Sequence, residues 1–207
     1  MKNKIAFGAL SALTVLLVSC AVYTAPTREE ALQVVKSSFK ERGIAKLDRL
    51  NQSDLQVACS EASLTGKDLP QELRARLEKQ ALASVKYPAD GAYFGDFKAG
   101  ERIAQTGVGM QWSDSDTTVA GGNCYACHEI SPQEIAFGNI GPSLKGYRKL
   151  RGASPAVITY TWGKLWNSHA YNACSQMPRY GDANILTTAQ LKDLMALLLD
   201  PNSPVNK

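Results

Sequence analysis

The hydrophobic positions begin with an uncharged, mainly apolar stretch. Residues 5–18 include Leu10, Leu13, Val15, Leu16, Leu17 and Val18, behind a positive start of Lys2 and Lys4. This run of fourteen residues falls short of the roughly 20 that a membrane-crossing helix needs. Small residues follow at Ser19, Cys20 and Ala21, and the order basic, apolar, small marks residues 1–20 as an export signal. Beyond it the apolar residues recur at three- and four-residue steps, the period of a helix with one buried face. Leu32, Val35 and Phe39 predict a helix over 28–42 that stops at Gly43. Pro70 suits the first position of a second helix, which carries Leu73, Leu77 and Ala81 and ends at Val85, Lys86, Tyr87 and Pro88. Residues 97–106 make a short third helix ending at Gly107. Ser154 as N-cap and Pro155 behind it open a fourth, with Ile158, Trp162, Leu165 and Trp166 on one side. Thr187 and Gln190 form a capping box for the last helix, whose apolar face is Leu191, Leu194, Met195 and Leu198 and whose stop is Pro201. The two-residue alternation of a strand is almost absent, so the predicted class is all-α.

The glycine- and aromatic-rich stretch 87–97 reads as a connector, dividing a helical N-terminal extension, 26–95, from a second part, 96–207. The extension has no histidine and no catalytic spacing. At 207 residues and 44% hydrophobic composition, the chain suits one ample domain or two small ones and excludes a multi-span membrane protein. The formal charge is +4, and the first nineteen residues hold two lysines and no acid. That modest surplus excludes a strongly basic nucleic-acid binder. No phosphate loop, paired carboxylates or nucleophile–base–orienter set stands out.

Export sets the reading of the cysteines. Cleavage after Ala21 is one processing route. The other follows from Leu17, Val18, Ser19 and Cys20, which look like the lipobox of bacterial lipoproteins, with Cys20 as a lipid anchor. Both place the mature protein in the periplasm, free or membrane-tethered. Cys124 and Cys127 share a motif. Cys59 and Cys174 remain, as a disulfide suited to an oxidising compartment or as two buried thiols.

The motif is Cys124-Tyr125-Ala126-Cys127-His128, the C-x-x-C-H attachment signal of c-type haem. Two thiols at this spacing can add across the two vinyl groups of one haem, and the adjacent His128 can reach the iron. A redox dithiol would need a β-α-β setting, and a zinc site would need two more nearby ligands. A second axial ligand is expected downstream. Met195 falls on an apolar helix face, and Met110 precedes the motif. Met177 lies in a loop between helices and is followed by the stiffening Pro178. His169 is its rival. Thioether ligation by Met177 raises the potential relative to bis-histidine ligation and closes the iron to substrates.

Residues 96–200 resemble a class I cytochrome c domain: helix, CxxCH, a turn of the GPxL type (Gly141, Pro142, Ser143, Leu144), further helices, a methionine–proline loop and a last helix. The resemblance implies that the Pro142 carbonyl faces Nδ1 of His128 and that Leu144 packs on a single covalent haem c. The runs 122–128 and 138–144, and the stretch from Cys174 to Gly181, look more closely like the SoxX family. Members are the small monohaem subunits of periplasmic SoxAX complexes, which conjugate thiosulfate oxidatively to a carrier-protein cysteine (L-cysteine S-thiosulfotransferase). That resemblance implies a heterodimer with a larger SoxA-like cytochrome bearing the sulfur chemistry, and an acceptor cytochrome downstream. The alternatives are a freestanding cytochrome c carrying electrons to a terminal oxidase, and a peroxidase or thiosulfate dehydrogenase, which would need an exchangeable iron position. Lys145, Arg148, Lys149 and Arg151 form a basic cluster that suits haem carboxylates, partner steering or a solvated face.

Overall fold

A computed structural model describes residues 26–207; the export signal and Cys20 lie outside the described residues. The described residues fall into two units, 26–40 and 41–207. In the first, α1 (Arg28–Ser38) opens on a Thr27–Glu30 capping box. It stops at Ser38 instead of running to 42, because Phe39 is already extended (φ −86°, ψ 142°).

The second unit contains α2 (Asp54–Thr65), α3 (Gln71–Ala83), α4 (Phe97–Gln105), α5 (Tyr147–Arg151), α6 (Pro155–Trp166) and α7 (Thr188–Leu199). Short 3-10 turns punctuate them, among them Cys124–Ala126 and Ser168–Ala170. Among the described residues the only strand-like feature is an isolated bridge between Arg42 and Ala45, so the protein is all-α. No described helix is long and apolar enough to cross a membrane. The α6 and α7 caps are those the sequence spells out: Ser154 accepts from the Val157 N–H, and Thr187 and Gln190 cap each other. Pro70 stands one place earlier than expected, as N-cap of α3. Helix α2 escapes the periodicity because its apolar residues are spread around it and only Leu55 is buried. Its start, a Ser53–Gln56 capping box, repeats the form at Thr187.

The main core gathers on α7. Leu191, Met195, Leu197 and Leu199 are almost fully buried, with Trp162 of α6, Ile130 and Val205. Each such side chain contributes roughly 1.5–3 kcal/mol by leaving water. Helices α4 and α7 cross at Gly100, where a Cβ would strike the Asp193 carbonyl of α7. The connector after α3 joins this core too. Gly95 N–H donates to Lys192 O at 2.9 Å, and the Trp162 indole N–H donates to Lys86 O at 2.9 Å. Residues 41–95 therefore share one unit with 96–207. A smaller cluster of Leu55, Leu69, Leu77 and Ala173 lies between α2, α3 and the chain after α6.

Candidate functional site

Backbone bonds from three directions hold the C-x-x-C-H segment. Asn123, in the left-handed region at φ 47°, turns the chain into the 3-10 turn Cys124–Ala126. On one side, Gly122 N–H donates to Ile103 O and Asn123 N–H to Thr106 O, both at 2.8 Å, tying the motif to the end of α4. On the other, Gly138 N–H donates to Tyr125 O and Gly141 N–H to Cys127 O, both at 2.8 Å. The third support is internal: His128 N–H donates to Cys124 O at 3.0 Å.

The imidazole of His128 is oriented by the turn that follows. Its Nδ1 lies 2.7 Å from the carbonyl oxygen of Pro142, and its ring lies flat on Gly141, which has no side chain to strike it. A proton on Nδ1 donates to that carbonyl and leaves the Nε2 lone pair as the available donor, the tautomer that ligating histidines use. Cys124 and Cys127 are unpaired. Burial pushes the Cys124 thiol up to about 12, whereas a redox-active dithiol needs a depressed value. Among the described residues, no three His, Cys, Asp or Glu side chains converge on a point that could hold a metal ion. Cys124, Cys127 and His128 are adjacent in sequence without chelating as a set.

Leu144 and Met177 are partly buried and pack against the main core, as Cys124 does. The Met177 backbone is held at both ends: Ser168 Oγ donates to its carbonyl at 2.6 Å, and its N–H donates to Ser175 Oγ at 3.2 Å. His169, the rival ligand, is buried, with Nε2 3.2 Å from Ser175 O. Met195 is a fully buried core residue, and Met110 is 40% exposed, its carbonyl taken by Arg49 at 2.6 Å. Cys59 and Cys174 form a disulfide, with their Cα atoms 5.5 Å apart.

No family model matches the chain. It is 32% identical, over 219 aligned positions, to a protein of Aquifex aeolicus (strain VF5) described as an uncharacterized lipoprotein, and the alignment takes in all of both chains. The chain belongs to that protein's family. The alignment therefore spans residues 1–20, the stretch 26–95 and the motif region together.

Sequence reasoning missed several members of the site. Tyr125, between the two cysteines, is buried; its hydroxyl donates to Glu101 of α4 at 2.7 Å and accepts from Ser131 N–H at 3.2 Å. Tyr180, two residues from Pro178, donates to the Gly122 carbonyl and lies beside Cys124. The Trp166 indole N–H and one Glu101 carboxylate oxygen are buried without a hydrogen-bond partner. No spacing rule reveals these, because each acts through an element distant in sequence. The basic cluster divides. Arg148 donates to Leu199 O at 2.7 Å, closing the end of α7, and Lys145 lies 3.9 Å from Glu129. Arg151 sits 5.3 Å from the Tyr147 ring.

Proposed function

We propose that this protein is an extracytoplasmic monohaem cytochrome of class I architecture that carries electrons. The observation supporting this most is the His128–Pro142 contact beside two free cysteines. It supplies a histidine held by one nitrogen, with the other free, where the sequence carries C-x-x-C-H. Two further features fit the group. Gly141 has no side chain to displace the imidazole that rests on it. Trp166 offers a buried N–H without a partner, and a haem carboxylate is an acceptor suited to it. Cys124 and Cys127 would hold the haem covalently, and His128 and Met177 would supply ligands to its iron. When bound, haem c supplies a one-electron iron couple. The chain's own part is to orient His128 through Pro142 and to cover the group with Leu144 and the Met177 loop.

In this reading the protein is a SoxX-like subunit, passing on electrons from sulfur chemistry carried out on a larger SoxA-like cytochrome. The exposed Ile135, Phe137 and Ile140, on the loop bonded to the motif, offer apolar contact to such a partner. The lipoprotein description of the relative supports a lipid anchor at Cys20 and a membrane-tethered periplasmic location. Expression with a c-type maturation system should yield one haem that stays with the chain after denaturation. Met177→Ala should then open the iron to carbon monoxide and lower the potential. A chain without covalent haem overturns the cytochrome reading, and an unchanged spectrum in the variant removes Met177 from the ligand set. A pull-down with haem staining separates the two electron-transfer roles: a second, larger haem protein marks the SoxAX subunit, and a lone haem protein marks a freestanding carrier.

A further inference from the structure

The segment 167–187 carries Met177 and contains no helix beyond the 3-10 turn Ser168–Ala170. A loop of this kind needs its conformational freedom removed before a single side chain can be presented in one place. The core side supplies part of that restraint: Gly181 and Asp182 N–H groups both donate to Trp166 O, at 3.1 and 3.0 Å. The rest comes from α2, α3 and the residue that ends α3, which lie more than eighty positions upstream. Cys59 of α2 is bonded to Cys174, three residues before Met177. Glu78 of α3 accepts from the backbone N–H of Ala173 at 3.1 Å. Ser84, at the end of α3, accepts from the Asn167 side-chain amide at 3.0 Å. Ala173 itself is 1% exposed, packed among Leu55, Leu69 and Leu77 of the smaller cluster. Four contacts of different chemistry thus converge on eight consecutive residues, and they end just short of the methionine.

We propose that α2 and α3 act as a clamp, through the Cys59–Cys174 disulfide and the Glu78 carboxylate, that holds the Met177 loop ready to ligate iron. The inference rests on the cytochrome reading above and gives part of the extension a function within this chain. A loop ordered when the protein folds does not have to be ordered again when the thioether binds, so ligation is tighter and slower to open. Cys59, Cys174 and Glu78 are positioning residues; none needs to touch the iron.

The test uses the haem-loaded, full-length protein. Ascorbate reduces the iron and leaves the disulfide intact. Dithiothreitol reduces the iron and also cleaves the disulfide by two thiol–disulfide exchanges. In that cleavage, two electrons and two protons pass from the dithiol to Cys59 and Cys174, which become thiols, and the reagent closes to its own disulfide. Carbon monoxide must displace Met177 to bind. Its binding should be about tenfold faster in the cleaved sample, the factor that about 1.4 kcal/mol of lost restraint produces. Glu78→Ala should also accelerate binding, and Glu78→Gln, which keeps an accepting oxygen, should restore the parent rate. Both variants keep the disulfide, so they remain informative if the cleaved protein unfolds. Equal rates with and without the disulfide, with both thiols shown free by alkylation and mass, overturn the clamp. Rapid binding already in the ascorbate sample overturns Met177 ligation, and the clamp with it. Absence of covalent haem overturns the cytochrome reading itself.

Discussion

At Gly141 a side chain is excluded by the imidazole of His128: a Cβ built there meets three atoms of the ring. The ring cannot move aside freely, because its Nδ1 is held 2.7 Å from the Pro142 carbonyl. Gly141→Ala therefore forces a choice between tilting the ring and shifting the turn. The expected cost is about 1–3 kcal/mol, the range for overpacked sites. Urea unfolding of the variant beside the parent checks this, and an unchanged midpoint would show that the turn yields. On the cytochrome reading proposed above, a tilted ring also loses its hydrogen-bond acceptor, and the potential of the variant should change. Pro142 contacts the imidazole through its carbonyl, a group every residue has. Its ring serves to stiffen the turn that aims that carbonyl.

Among the elements, the crossing of α4 and α7 determines how the motif is carried. Gly100 lets the backbones approach so closely that a methyl group would enter the Asp193 carbonyl and press on Leu197. Asp193 also accepts from Asp96 N–H at 2.8 Å through Oδ1, so α7 anchors the N-cap residue of α4. The end of α4 in turn accepts the N–H groups of Gly122 and Asn123, which lead into Cys124. Separating the two helices would disturb the C-x-x-C-H segment directly. Gly100→Ala should destabilise the fold by about 1–3 kcal/mol and reduce covalent haem incorporation in the maturation system. Thermal unfolding and haem-stained gels measure the two effects. A loss of stability with full incorporation would mean that the segment tolerates motion at the crossing.

Over the whole molecule, burial of His169 makes stability depend on pH. Burial holds its pKa below the ordinary histidine value of 6.5, with Arg179 and Lys164 adding to the shift and the Ser175 carbonyl and Asp182 opposing it. The folded state thus binds the proton less readily than the unfolded state does. Stability from this group is complete above the unfolded value and declines as pH falls through it toward the lower folded value. Chemical denaturation across that window should show the decline, and His169→Gln should flatten it. An equally steep profile in the variant would assign the dependence to other groups. The sequence by itself determined the all-α class, the caps of α6 and α7, the apolar face of α7 and the C-x-x-C-H spacing. These are local properties, set by residues a few positions apart, where helix period, hydrogen-bond reach and cysteine spacing are legible without a fold. Helix α2 shows the boundary: the sequence reading did not find it, because its buried side faces a loop more than a hundred positions away. Only the tertiary structure brought Glu101 to Tyr125 and Tyr180 to Gly122, and it decided between the disulfide and the two buried thiols that the sequence left open for Cys59 and Cys174. It also turned Arg148 from a surface charge into the cap of α7. Such contacts join segments separated by tens of residues, and the chain's path between them is decided by which apolar faces bury one another, information that no short stretch of sequence contains.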